Sequence, residues 1–120
     1  MKLLIQNATL VNPLGESGKL DILIEGKTVR AVASQIDPPG DCRVFAAEGL
    51  TAFPGLIDMH CHLREPGFEY KETVYSGTHA AVKGGITAVC CMPNTEPVTD
   101  SAAVVEFIKK QARISGAAKV

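Results

Sequence analysis

The stretch that decides the fold is "GLIDMHCHLREPG", residues 55–67. It starts as an apolar run of strand length and carries Asp58, His60, His62 and Arg64 at a strict spacing of two before a Pro-Gly turn. Alternate residues of a strand share one face, so this spacing predicts a single polar row if the strand continues as far as Arg64. Burying such a row of polar groups is costly unless each group has a bonding partner. We therefore expect the two histidines to bind a divalent metal ion. Asp58 would support these ligands without binding the metal itself, and Arg64 would bind an anionic substrate.

Apolar spacing after this stretch predicts two amphipathic helices with a strand between them. The first helix lies within residues 70–85 and ends at Gly84-Gly85, because glycine is the usual residue of a left-handed C-terminal cap. "ITAVCCM", residues 86–92, has the length of a buried strand, and the second helix runs from about Asp100 to Ser115. This order predicts an α/β fold with a parallel sheet buried on both faces. The positions predicted to be buried on the helices are Val74, Thr78, Ala81, Val82, Val104, Val105, Ile108 and Ala112.

The first 52 residues have a different sequence pattern, which is typical of a small β module. Short strands are expected in "KLLIQNATLV", "LDILIEG", "KTVRAVA" and "CRVFAAEG". Glu25-Gly26 is a plausible hairpin turn, because glycine accepts the positive φ that tight turns require. Residues 37–41, "DPPGD", are predicted to be a loop. At the other end of the chain, residues 117–120, "AAKV", resemble the approach to a further strand.

Composition excludes several classes of protein. The chain has 120 residues, 46% of them hydrophobic, and a formal net charge of −1, which describes an ordinary globular protein without the basic surface that nucleic acids select. No apolar run approaches the roughly 20 residues of a membrane span, and the N-terminus turns polar by Gln6. We therefore expect a cytoplasmic protein with no membrane or nucleic-acid partner.

The cysteines could in principle form disulfides or a structural zinc site. There is no secretory signal, so reduced thiols are expected. Cys61 should point away from the neighbouring histidines, and the adjacent Cys90 and Cys91 should point to opposite faces, which disfavours a cysteine zinc site. The cysteines expected to be small buried hydrophobes are Cys61, Cys90 and Cys91, and the fourth cysteine is Cys42.

An isolated His-x-His pair is weak support for a metal site, because most histidines are structural or lie on the surface. The in-phase Asp58 and Arg64, together with the strand and the turn, strengthen it here. His79 is different, since it lies in mid-helix beside Thr78 and Ala80. We expect His79 to face solvent or to pack within the helix.

Residues 53–100 resemble the first barrel segments of the dihydroorotase family, in the amidohydrolase superfamily. The motifs that carry this resemblance are "HLREPG", residues 62–67, and "MPNT", residues 92–95. The N-terminal "LLIQNATLVNP" is similar to the small β-sandwich that precedes the barrel in that family. The resemblance implies a β-sandwich module over 1–52 and the first two βα units of a (β/α)8 barrel over 53–120. Because such a barrel takes about 250 residues, we expect this chain to be an N-terminal fragment and to be inactive by itself.

The resemblance also implies a chemistry. His60 and His62 would bind Zn²⁺, with one or two ions in a complete site, while Arg64 and Asn94 would hold the substrate carboxylate. The reaction would interconvert N-carbamoyl-L-aspartate and L-dihydroorotate in pyrimidine (UMP) biosynthesis, with the general base expected beyond Val120. The family implies a homo-oligomer, with association with aspartate transcarbamoylase as a further expectation.

Two alternatives stay open at this point. Dihydropyrimidinases and allantoinases share the His-x-His pair and open cyclic ureides, but their substrates lack the carboxylate that Arg64 and Asn94 would bind. Non-catalytic dihydroorotase-like proteins serve as scaffolds, and such relatives typically lose metal ligands. Both histidines are present here. Cys61, His79 and Ile86 are not the commonest residues at their positions in the family that the chain resembles, and none of these departures touches the proposed ligands.

Overall fold

The computed structural model describes residues 1–12, 15 and 17–120. The chain divides into two compact units, Met1–Pro54 and Gly55–Val120. The first unit contains the strands β1 Lys2–Leu10, β2 Gly18–Glu25, β3 Thr28–Ala33, β4 Cys42–Ala46 and β5 Thr51–Ala52. The second contains β6 Leu56–Cys61, α1 Val74–Lys83, β7 Ile86–Cys91 and α2 Ala102–Ser115.

The first unit is a mixed sheet with the strand order β3-β2-β1-β4, and β5 pairs with the end of β1. β2 runs antiparallel to both β1 and β3, whereas β4 and β5 run parallel to β1. Gly26 has a φ of +62° in the turn between β2 and β3, which confirms the predicted hairpin. The four predicted strands and the loop at 37–41 are also confirmed. The described residues form one sheet in this unit, so the two-sheet sandwich stays a prediction.

A buried carboxylate stabilises an irregular part of this sheet. The register of β1 against β2 shifts between Ile5 and Ala8, and Asn7 there has a φ of +58°. Asp21 is 3% exposed, and its two carboxylate oxygens accept hydrogen bonds from the N–H groups of Asn7, at 2.8 Å, and Ile36, at 3.0 Å. These bonds compensate the cost of burying the charge.

The second unit has the predicted order of strand, helix, strand, helix. β6 and β7 are parallel, as expected for βα units. The C-terminal residues continue this pattern, because the N–H of Val89 donates to the Lys119 carbonyl at 2.8 Å and the N–H of Lys119 donates to the Thr87 carbonyl at 2.9 Å. Residues 117–120 therefore lie beside β7, where a third parallel strand would start. No helix in the described ranges is long and apolar enough to cross a membrane.

The helices pack on the sheet through a narrow stripe. The core of the unit is formed by four buried residues, Leu63, Val74, Val89 and Ile108. Thr78, Ala81, Val104 and Ala112 also face the interior as predicted. Val82 and Val105 do not, being 38% and 40% exposed. Val82 lies about 80° around the helix from Val74, which places it at the edge of the contact face.

Both helix ends follow from local chemistry. The hydroxyl of Thr73 accepts a hydrogen bond from the N–H of Ser76 at 3.1 Å, and Ser101 caps α2 in the same way. α1 ends at Lys83 and is capped by Gly84, and Gly85 follows with a φ of +82°, so the predicted glycine stop is confirmed. The expectation of a sheet buried on both faces is wrong for the described residues. Ile57 and Met59 of β6 are 65% and 77% exposed, because two helices cover only part of the sheet.

Candidate metal and substrate site

The polar row predicted along β6 is only partly formed. β6 ends at Cys61, so His62 and Arg64 belong to the following loop, and Arg64 has a φ of +64°. Asp58 pairs with Val89 and Cys61 with Cys91, so three steps along β6 match two steps along β7. An extra residue of this kind is a β-bulge, which breaks the alternation of side chains. The prediction that all four residues share one strand face is therefore wrong.

The two histidines nevertheless lie together. The ring centroids of His60 and His62 are 5.4 Å apart, with 63° between the ring planes. Two imidazoles bound to one tetrahedral zinc ion, at about 2.0 Å from it, would have their centroids about 5 Å apart. The carboxylate of Asp58 accepts a hydrogen bond from the backbone N–H of His60 at 2.9 Å, so it supports the end of the strand. The separation of the two rings therefore matches that of two ligands of one divalent cation.

This pair is not a complete metal site. Within residues 1–12, 15 and 17–120, no group of three or more His, Cys, Asp or Glu side chains is arranged to hold a metal ion. Catalytic zinc usually has three protein ligands. His60 and His62 can therefore supply two ligands of a site that needs at least one more.

Asn94 lies directly beside this histidine pair. β7 brings its loop there, because the N–H of Met92 donates to the carbonyl of Cys61 at 2.8 Å. The Asn94 Oδ1 lies 2.8 Å from the Nδ1 of His62. An amide oxygen can only accept, so Nδ1 is the donor in this hydrogen bond, and a neutral His62 ring would then have its lone pair on Nε2. The structure thus joins one predicted metal ligand to one predicted substrate-binding residue.

The loops that carry these residues are joined backbone to backbone. The N–H of Glu96 donates to the carbonyl of Pro66 at 3.0 Å, and a Cβ atom on Gly67 would overlap the Glu96 carbonyl. Thr95 is 6% exposed, and its hydroxyl donates to the Pro97 carbonyl at 2.7 Å. The same hydroxyl lies 2.7 Å from that of Thr99. Sequence reasoning missed these supporting residues, because nothing in the spacing of either loop shows that the two touch.

Arg64 takes no part in these contacts. Its backbone carbonyl accepts a hydrogen bond from the N–H of Phe68 at 3.0 Å. Among the described residues, its guanidinium has no hydrogen bond or ion pair. The half-buried side chain is therefore free to bind a ligand, and its role in binding an anion stays a prediction.

The cysteines and His79 lie outside the site's chemistry. All four cysteines are free, as expected. Burial raises the pKa of Cys61 to about 11 and also raises the pKa of Cys91, so both are thiols at neutral pH. Cys90 is exposed, contrary to the expectation that it is buried. The Nδ1 of His79 lies 2.8 Å from the carbonyl of Tyr75, whose ring it stacks on, so His79 packs within the helix as predicted.

Solved structures of hydrolases share this fold. An L-hydantoinase (dihydropyrimidinase) from Arthrobacter aurescens matches 92% of this chain and 24% of its own, with a TM-score of 0.81 and 28% identity. A phenylurea hydrolase B matches 99% of this chain and 29% of its own, with a TM-score of 0.72 and 20% identity, which is a likeness of fold alone. The fold is that of the amidohydrolases.

The sequence comparison is more specific. Residues 49–120 match the family model described as Dihydro-orotase-like, and the chain belongs to that family. A dihydroorotase of Pelotomaculum thermopropionicum is 51% identical over 91% of this chain and 26% of its own length. A dihydroorotase of Geobacter metallireducens is 46% identical over 100% of this chain and 28% of its own length. The chain therefore spans about a quarter of the length of these curated relatives.

Proposed function

We propose that the protein containing this chain is a dihydroorotase, a zinc-dependent hydrolase that interconverts L-dihydroorotate and N-carbamoyl-L-aspartate. The observation that carries this proposal is the arrangement of His60, His62 and Asn94 at the carboxyl ends of two parallel strands. Chemistry in α/β folds is usually located at those strand ends. Relatives named dihydroorotase, 44% and 51% identical to this chain, support the same assignment.

The histidines would hold the metal through neutral ring nitrogens. Zinc, when bound, polarises the ring carbonyl of the substrate and makes water a better nucleophile. The proton on Nδ1 of His62 suits this role, because it leaves Nε2 as the electron-pair donor. Asp58 fixes the backbone at His60 and so limits the directions in which that ring can point. Further ligands and the base that accepts the proton of water come from elsewhere in the protein.

Arg64 and Asn94 would select the substrate by its carboxylate. The guanidinium can bind a carboxylate through two parallel N–H groups, and the amide NH₂ of Asn94 adds a third donor. Hydrolysis consumes one water and breaks the ring C–N bond, with the released nitrogen taking a proton. The carboxylate does not react, so contacts to it act by holding the ring in place.

The wider setting follows from this substrate. The reaction belongs to pyrimidine biosynthesis, and we propose that it takes place in the cytoplasm on a complete (β/α)8 barrel. Residues 53–120 would supply the first two βα units of that barrel. A homo-oligomer and association with aspartate transcarbamoylase remain predictions.

A second candidate function is a dihydropyrimidinase. The observation that favours it is the likeness to the L-hydantoinase of Arthrobacter aurescens, with a TM-score of 0.81. Such an enzyme would use the same histidine pair on a cyclic ureide that has no carboxylate. Arg64 would then have no anion to bind, which makes the two functions separable by the choice of substrate.

Removal and return of the metal test the proposed function. We expect the full-length protein to lose dihydroorotate hydrolysis when zinc is chelated and to regain it when zinc is added. His60→Ala and His62→Ala should prevent this recovery, whereas His79→Ala, a matched change on α1, should not. Activity that persists in zinc-free protein, or in either of the first two variants, would contradict the proposal.

A further inference from the structure

We infer that Asn94 is a positioning residue for the metal ligand His62 in addition to its proposed contact with the substrate. Its amide oxygen holds the proton of His62 on Nδ1, which leaves Nε2 to bind the metal. Its amide NH₂ remains available to the substrate anion. This inference rests on the proposed metal site and assigns Asn94 a role toward the metal itself.

The chemistry of the pair fixes the direction of the hydrogen bond. The 2.8 Å between Oδ1 of Asn94 and Nδ1 of His62 is a short hydrogen bond for an N–H donor. A neutral imidazole carries one N–H, and the amide oxygen accepts from it. The partner of a ligating histidine determines which ring nitrogen is free, and it also orients the ring.

The loop around Asn94 is built to hold this side chain in place. On one side, the N–H of Met92 bonds the end of β6 through the Cys61 carbonyl. On the other side, the buried hydroxyl of Thr95 bonds within the loop, and the N–H of Glu96 bonds the Pro66 carbonyl. Asn94 therefore lies between two anchored points. A side chain held in this way can orient a ligand before the metal arrives.

The other end of the amide is unused. Among the described residues, Nδ2 of Asn94 has no hydrogen-bond partner, and the residue is exposed. Its two N–H groups can therefore donate to an anion without breaking the bond to His62. The planar amide of Asn94 then contacts His62 through its oxygen and the substrate through its nitrogen. The position of the metal ligand and the position of the substrate are coupled in this way.

Two substitutions separate these contacts. Asn94→Ala removes both, so zinc affinity should fall about 10- to 100-fold and KM for dihydroorotate should rise. Asn94→Asp keeps an oxygen acceptor for Nδ1–H but replaces the donor with a negative charge. Zinc affinity should then stay within about threefold of the unchanged protein, while KM rises because the charge repels the substrate carboxylate. Arg64→Met is the control, since it should raise KM and leave zinc affinity unchanged.

The measurement is competition for Zn²⁺ between the full-length protein and a chelating dye, with no substrate present. Melting temperatures of the zinc-free variants, which should match the unchanged protein, would exclude a general loss of fold. If Asn94→Ala binds zinc as tightly as the unchanged protein, the positioning role is wrong. It is also wrong if Asn94→Asp binds zinc as weakly as Asn94→Ala. Neither result bears on the proposed function, which fails separately if the unchanged protein does not hydrolyse dihydroorotate.

Discussion

The carboxylate of Glu65 accepts a hydrogen bond from the backbone N–H of Val74, with 2.7 Å between Oε2 and N. Val74 is the first residue of α1 and is fully buried in the core of its unit. The first N–H groups of a helix lack partners within the helix, and its N-terminus favours negative charge. This bond therefore fastens the loop that carries His62 and Arg64 to the helix that follows it.

Glu65→Ala should lower the stability of the fold by about 1 to 2 kcal/mol, because it leaves a buried N–H without a partner. Glu65→Gln keeps an oxygen acceptor and should cost less than half as much. The midpoints of urea denaturation of the two variants provide the comparison. An alanine variant as stable as the unchanged protein would show that the bond does not hold the loop.

Gly67→Ala should displace the joined loops of the candidate site. Gly67 has a φ of +97°, and a Cβ there would overlap the carbonyl of Glu96. Gly85→Ala is the matched control, since Gly85 has a φ of +82° with no atom within 4 Å of an added Cβ. The control should cost only backbone strain, about 1 to 2 kcal/mol. Gly67→Ala should cost more and should also raise KM. Equal melting temperatures of the two variants would contradict the close packing of the loops.

Arg64→Met should depress turnover of dihydroorotate far more than it depresses zinc binding. Losing one partner of a buried charge pair typically costs about 2 to 5 kcal/mol, or roughly 30-fold or more in kcat/KM. The same substitution should have little effect on dihydrouracil, which has no carboxylate. Steady-state kinetics with both substrates test this. Unchanged kinetics with dihydroorotate would remove the carboxylate-binding role of Arg64.

Lys2→Gln should raise the pKa of Asp41. Nζ of Lys2 lies 2.9 Å from the Asp41 carboxylate, and this hydrogen bond and charge hold the pKa of Asp41 below its ordinary value of 3.8. A carboxylate whose pKa is lower in the folded than in the unfolded protein stabilises the fold at pH values above the unfolded pKa. This contribution is lost as the pH falls through the folded pKa. The pair is exposed, so the effect on stability should be small. An NMR titration of Asp41 that gives the same pKa in both proteins would contradict the ion pair.

Local sequence patterns predicted most of the regular structure. The β-rich runs separated by turns in β1 to β4 and the apolar spacing of the helices are local signals, and each gave the right type of element. The width of a buried stripe is not local, since it depends on what covers the helix. Val82 and Val105 were placed in the core for this reason and are substantially exposed.

The site was harder to predict because its geometry depends on irregular backbone. The two histidines could be found from their spacing, and their rings do lie together. The bulge between Asp58 and Cys61 could not be predicted, because the residue spacing within β6 does not show a shift in its register against β7. The bond between His62 and Asn94 joins residues 32 positions apart in the chain, so only the packing of two loops reveals it.

The most direct test of the central claim compares two substrates that differ by one group. Dihydroorotate and dihydrouracil share the same ring, and only the first carries the carboxylate that Arg64 and Asn94 are proposed to bind. The zinc-loaded full-length protein should hydrolyse dihydroorotate with a kcat/KM at least about 30-fold higher, as a charge-paired contact predicts. Equal or faster hydrolysis of dihydrouracil would contradict the account and favour a dihydropyrimidinase.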